Sequence, residues 1–308
     1  MSFNTVVINT LLLLALAVPG FILTKIKLID NKAIKPLSNL LLYVCVPFMI
    51  LKSFLTIEYQ PQLLTNILLA LAFSFVSTLI IMVVALVVFK NKKVAGQKIY
   101  HFACMFSNCG FFGLPFLSAL FPGNDHVILY ASMYIIVFNL ATWTLGIFIL
   151  TGDKKYISVK KALANPAIIF SAIGFVLFLC KVNVPTPAIT FSNFWSTMTS
   201  PLSMTVTGIR LAYMPSKTLV SDWRAYLVCF LRLLVAPALT WCMLTLIGIN
   251  DVDLFNTLVI ACAMPVAATT VVFAEAFTPK PESSVTCMLL STTLCIVTIP
   301  IVCMLFLI

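Results

Sequence analysis

Long apolar runs, parted by short stretches that hold most of the charge, constrain this chain more than any other feature. They fall near residues 4–24, 37–55, 63–89, 98–121, 127–150, 163–180, 190–213, 222–247, 254–276 and 283–307. A helix needs about 20 apolar residues to cross roughly 30 Å of hydrocarbon, so ten crossings account for nearly all 308 residues. The runs are continuously apolar and lack the alternation of a barrel strand, which predicts an all-α membrane protein of ten transmembrane helices. Only 9% of residues are charged, against about 25% in a soluble domain. The solvent of this chain is therefore mostly lipid. The first run has neither a basic leader nor a small-residue cleavage site and is read as a retained span.

Basic residues give the orientation. Lys25, Lys27, Lys32 and Lys35 lie between spans one and two; Lys90, Lys92, Lys93 and Lys98 between three and four; Lys154, Lys155, Lys160 and Lys161 between five and six. Arg210, Lys217 and Arg224 surround the seven–eight turn, and Lys280 lies between nine and ten. Of the 19 basic residues only Lys52, Lys181 and Arg232 fall elsewhere. The positive-inside rule puts those odd-numbered gaps in the cytoplasm and both termini outside a multi-pass protein of the cell membrane. The excess of positive charge is a matter of topology and points to no nucleic-acid partner.

Ten spans divide into two sets of five, and an odd number per set inverts the second. Ser38-Asn39 precedes Pro47 as Ser192-Asn193 precedes Pro201, each on the second span of its half. The expected organisation is a first five-helix repeat over 1–151, a short cytosolic linker over 152–162 and an inverted repeat over 163–308. Inverted repeats around a midplane site are typical of secondary transporters.

The fourth span reads Ser107-Asn108-Cys109-Gly110-Phe111-Phe112-Gly113-Leu114-Pro115. Asn108 lies ten residues beyond Lys98, about 15 Å along a helix and near the bilayer centre. The ninth span reads Met264-Pro265-Val266-Ala267-Ala268-Thr269-Thr270, with Pro265 central. Proline and glycine free backbone groups from the helical ladder, which hydrocarbon does not tolerate unless protein or a wet cavity satisfies them. They also kink helices that are merely packed, but central breaks in both fourth spans favour a binding site. Crossed half-helices would present N-termini suited to an anion, with Asn108, Thr269 and Thr270 adding neutral hydrogen bonds.

These residues resemble the auxin efflux carrier family, which includes the plant PIN-type carriers and bacterial organic-acid and malate permeases. Asn108, Gly113 and Pro115 are similar to that family's first crossover, Asn165-Pro166 to the start of its second half, and Pro265, Val272-Phe273-Ala274 and Pro300 to its C-terminal region. The resemblance implies two inverted five-helix repeats, crossed discontinuous fourth and ninth helices, and elevator-type transport of a small organic anion. Asn108, Gly110, Gly113, Pro115, Pro265, Thr269 and Thr270, with Asn165, form the implied substrate site. Three departures bear on the substrate: the linker is short, Thr270 stands where plant members have a second crossover proline, and span three holds no acidic residue. A mono- or dicarboxylate such as malate fits better than auxin, whose aromatic carboxylate class is the alternative.

Arg232, about ten residues into span eight, is the deepest charge. It would hold a substrate carboxylate bidentately, reach a wet region, or pair with Glu275. Arg210, near the inner end of span seven, has the same options, with a surface location favoured, and His101 is expected at the interface. No Asp or Glu lies mid-membrane, so no carboxylate proton relay is visible; a proton or sodium ion as coupling partner and a second copy of the chain as dimer partner stay open. The ten cysteines form no C-x-x-C pair and sit in apolar runs, which predicts packing with no metal or cofactor. Neither H-E-x-x-H nor G-x-S-x-G occurs, and His101 and His126 lie near span ends, so an enzyme is not expected. A non-transporting membrane ligand sensor would need a partner to supply its output.

Overall fold

The computed structural model describes residues 3–91, 96–213, 222–279 and 281–307. The positions expected for Lys92, Lys93, Lys217 and Lys280 lie outside the described residues. The fold is all-helical, with no β-strand among the described residues. Its helices are α1 (Phe3–Ala15), α2 (Val18–Lys25), α3 (Asn31–Thr56), α4 (Pro61–Val88), α5 (Gln97–Met105), α6 (Cys109–Leu120) and α7 (Asp125–Thr151). There follow α8 (Lys154–Leu163), α9 (Pro166–Leu179), α10 (Thr186–Ala212), α11 (Trp223–Ile247), α12 (Val252–Ala263), α13 (Thr269–Phe277) and α14 (Glu282–Phe306).

By length and composition, six segments among the described residues suffice to cross a membrane: Val7–Lys25, α3, α4, α7, α11 and α14. The pair α8 and α9, bent by 47° at its break, makes a seventh if it is one span. The remaining apolar runs fall short for two reasons. Helix α10 is 27 residues long but carries a Ser or Thr every few positions, which lowers its hydropathy. Helices α5, α6, α12 and α13 are each too short, since 9 to 12 residues extend only about 14–18 Å.

Helix starts follow from local chemistry. Asn124, Asn165, Asp222 and Asp251 each accept a backbone N–H through the side chain at the starts of α7, α9, α11 and α12, satisfying donors that the first turn leaves free. Prolines leave a second signature. One-turn π-bulges at 41–45, 109–113 and 231–235 each end two residues before Pro47, Pro115 or Pro237. The missing proline N–H and the bulk of its ring shift the hydrogen-bond register by one.

Helices α2, α3, α9 and α10 pack chiefly on one another; α4, α5, α7, α11, α12 and α14 form a second group, and the two meet along α3–α7 and α6–α10. The α2–α10 crossing is close because each helix offers a glycine to the other. A Cβ on Gly20 would collide with the Thr205 carbonyl, and one on Gly208 with the Ala17 carbonyl. Small residues at such a crossing let backbones touch, which is how helices associate in lipid without a hydrophobic drive. Eight of the ten cysteines are buried; Cys180 and Cys242 are exposed.

Candidate functional site

Two broken helices cross near the centre of the structure. Helix α5 stops at Met105 and Phe106 is extended; helix α12 stops at Ala263 and Met264 is extended. The two extended stretches run antiparallel. Asn108 N–H donates to the Pro265 carbonyl at 2.7 Å, and Ala267 N–H to the Phe106 carbonyl at 2.9 Å, around a Ser107–Val266 pair. Val266 N–H reaches Ser291 Oγ at 3.0 Å, and Ser107 Oγ lies 3.1 Å from the Tyr134 hydroxyl. Groups freed by the breaks thus find partners inside the protein, as non-helical backbone at membrane depth must.

Beyond the crossing, α6 and α13 begin. The Asn108 carbonyl accepts from both Phe112 and Gly113 N–H at 3.0 Å. A Cβ on Gly113 would lie 3.0 Å from Met264 Cγ, so the absence of a side chain there sets how closely the broken helices approach. At Gly110 an added Cβ would meet nothing within 4 Å. Pro115 is buried in α6, and Pro265 is buried in the crossing. The Oγ1 atoms of Thr269 and Thr270, in the first turn of α13, are buried without a hydrogen-bond partner among the described residues.

The opposite ends of the half-helices converge on Arg232. Its guanidinium, on a side chain that is 1% exposed, donates to the carbonyls of Cys104 (3.0 Å) and Met105 (3.2 Å) and to that of Cys262. These carbonyls end α5 and α12, where helix dipoles are negative and a cation is favoured. Among the described residues Arg232 makes no ion pair with Glu275, and its Nε has no partner. Asn165 lies apart from the crossing: it caps α9 and donates to the Asn139 side chain at 2.8 Å.

A narrow cleft of ≈ 20 Å³, room for about one water in the arrangement seen, lies beside the crossing between α10 and α14. Asn108, Phe111, Ser203, Thr207, Arg210 and Ala268 line it. The Asn108 side-chain amide makes no hydrogen bond among the described residues, and Arg210 has no acidic partner among them; its Nη1 lies 3.6 Å from Met288 Sδ, a weak acceptor. The cleft therefore offers a neutral amide, hydroxyls, a helix N-terminus and one uncompensated guanidinium. Ser203 and Thr207 were not among the residues expected from the sequence, which left Arg210 open between ligand and surface. Their signal was the spacing 203, 207, 210, which puts them on one face of a helix.

Spans of this length and apolarity, with a broken-helix crossing at their centre, define a multi-pass membrane protein. The model of the membrane transport protein family, that of the auxin efflux carriers, matches residues 5–303, and the chain belongs to this family. No curated protein matches the chain significantly.

Proposed function

We propose that the protein is a secondary transporter that moves a small organic anion, a mono- or dicarboxylate such as malate, across the cytoplasmic membrane by an elevator-type movement. In this reading the six long spans, the bent pair α8–α9, helix α10 and the two broken pairs α5–α6 and α12–α13 make ten crossings. Residues 1–151 and 163–308 are then two inverted repeats joined by 152–162, with both termini outside. The observation that carries the proposal is the joint presence of Asn108 and Arg210 in one cleft that holds no carboxylate. A guanidinium and an amide recognise a carboxylate by charge-assisted hydrogen bonds.

Counterflow of labelled mono- and dicarboxylates into proteoliposomes, with and without a proton or sodium gradient, tests it. Asn108→Ala and Arg210→Gln should each lower substrate affinity by roughly ten- to hundredfold, the equivalent of about 1.5–3 kcal/mol for a hydrogen bond to a charged group. Unchanged saturation kinetics in both variants would remove this cleft from the transport path. An aromatic carboxylate is the second reading. It is favoured by an apolar cavity of ≈ 200 Å³ at Phe21, Phe112 and Ile296, which shares Thr207, Leu211 and Thr292 with the cleft. An aromatic acid in the same panel separates the two.

A further inference from the structure

Helix α10 carries a polar face along most of its length. Asn193, Ser196, Thr197 and Ser200 face a vestibule of ≈ 360 Å³ that Lys52 and Asp125 also line. Ser203, Thr207 and Arg210 face the cleft at Asn108. Steps of three or four residues keep the set on one side of the helix. Two cavities thus lie along a single polar face, one towards each end.

Between them α10 rests on α6, and the contact is made by hydroxyls. Pro115 has no N–H, so the Phe111 carbonyl four residues earlier loses its helical donor. Ser203 Oγ donates to that carbonyl, and Ser200 Oγ donates to the Pro115 carbonyl at 3.3 Å. Helix α10 belongs to the first packing group, and α6 continues the crossing. The two serines therefore bind one group to the other at the point where the cavities are separated.

We propose that the polar face of α10 is the path of the transported anion, and that Ser203, with Ser200, is the latch that closes its midpoint. The proposal deepens the carboxylate reading and rests on it for the identity of the cargo. Arg210 stands at one end of the path and the Lys52–Asp125 ion pair at the other, and its middle is hydroxyl and amide, which suits a small hydrophilic anion. Opening requires α6 to part from α10, leaving the Phe111 carbonyl without a donor. A shift of about one helical turn, roughly 5 Å, would bring that carbonyl to Ser200 or Thr207, so the lost bond is remade in the next position. Ratchets of one turn between packed helices are a known means of switching.

Two measurements test the latch, both in a background with Cys180→Ser and Cys242→Ser. In the first, Ser196→Cys and Thr207→Cys are treated with a membrane-impermeant thiol reagent from either side. The path predicts labelling of the two positions from opposite sides; labelling of neither, or of both from one side only, overturns it. This arm needs no substrate, so it stands even if none of the carboxylates is carried. In the second, Ser203→Cys and Phe111→Cys are joined by a reducible thiol bridge. Flux should fall at least about tenfold while the bridge is closed, because the conformational step is blocked, and recover on reduction. Undiminished flux in the bridged protein overturns the latch. Should the cysteine pair fail to fold, Ser203→Ala decides: a severalfold change in turnover with unchanged affinity, restored by Ser203→Thr, supports the latch, and any other pattern overturns it.

Discussion

Arg232 shows how burial redirects a charge. An arginine deep in a span costs at least about 2.5–3.5 kcal/mol on insertion scales and must be offset. Here the offset is backbone: three carbonyls at two helix ends, with the side chain 1% exposed. With its fork so engaged, Arg232 acts on the crossing by holding the C-termini of α5 and α12 together. Arg232→Met should therefore destabilise the fold by about 1–3 kcal/mol for each buried carbonyl left without a donor. Thermal unfolding in detergent checks this, and Arg232→Lys should recover part of it. Loss of flux with an unchanged midpoint would instead make Arg232 a substrate ligand. Asn108 was legible in the sequence because glycine and proline flank it at mid-span. Arg210 was not: by count it lies near a helix end, and only the approach of Phe111 on α6, Ala268 just before α13 and Met288 on α14 turns it into a cleft wall.

At the scale of elements, the breaks in α5–α6 and α12–α13 were legible because Pro115, Gly113 and Pro265 each remove something a continuous helix needs. Local chemistry is enough to predict a gap. It does not predict the antiparallel pairing of Phe106–Asn108 with Pro265–Ala267, which joins segments far apart in the chain. The polar face of α10 was hidden for a related reason: a Ser/Thr-rich helix reads as a weak span until its neighbours are known. Pro115→Ala tests the value of the break. The new N–H at 115 competes with Ser203 for the Phe111 carbonyl and stiffens α6, so turnover should fall severalfold while the thermal midpoint holds or rises. A drop in midpoint would show that the proline is needed for folding. Gly208→Val differs, because its side chain would run into the Ala17 backbone. Overpacking costs about 1–3 kcal/mol or more, and reduced yield and midpoint, measured alongside Gly110→Ala as a tolerated control, are the expected result.

At the scale of the molecule, the question is what holds the two packing groups in the arrangement seen. Besides the serine latch, an ion pair spans them. Lys52 Nζ on α3 lies 2.7 and 2.8 Å from the two oxygens of Asp125 on α7, and Thr56 Oγ1 donates to the same carboxylate at 2.6 Å. The side chains are 20% and 18% exposed, so the pair is more sheltered than the surface bridges that contribute about 0–1 kcal/mol. Lys52 was legible as one of the few basic residues away from the gaps that hold most of the basic charge, but its partner, 73 residues on, was not. Under the proposed elevator movement, a contact between the two packing groups stabilises the arrangement in which it forms and disfavours the other. Asp125→Asn should therefore shift the population away from this arrangement by roughly tenfold, on the scale of about 1.4 kcal/mol for one charge-assisted bond. The rate of thiol labelling at Thr197→Cys, in the adjoining vestibule, reads that shift. Exchanging the charges, Lys52→Asp with Asp125→Lys, should return the rate towards the starting value, because the attraction depends on opposite sign and not on which helix carries it. If the exchanged protein labels no differently from Asp125→Asn, the pair is no clasp, and the serine hydroxyls on α10 alone set the balance.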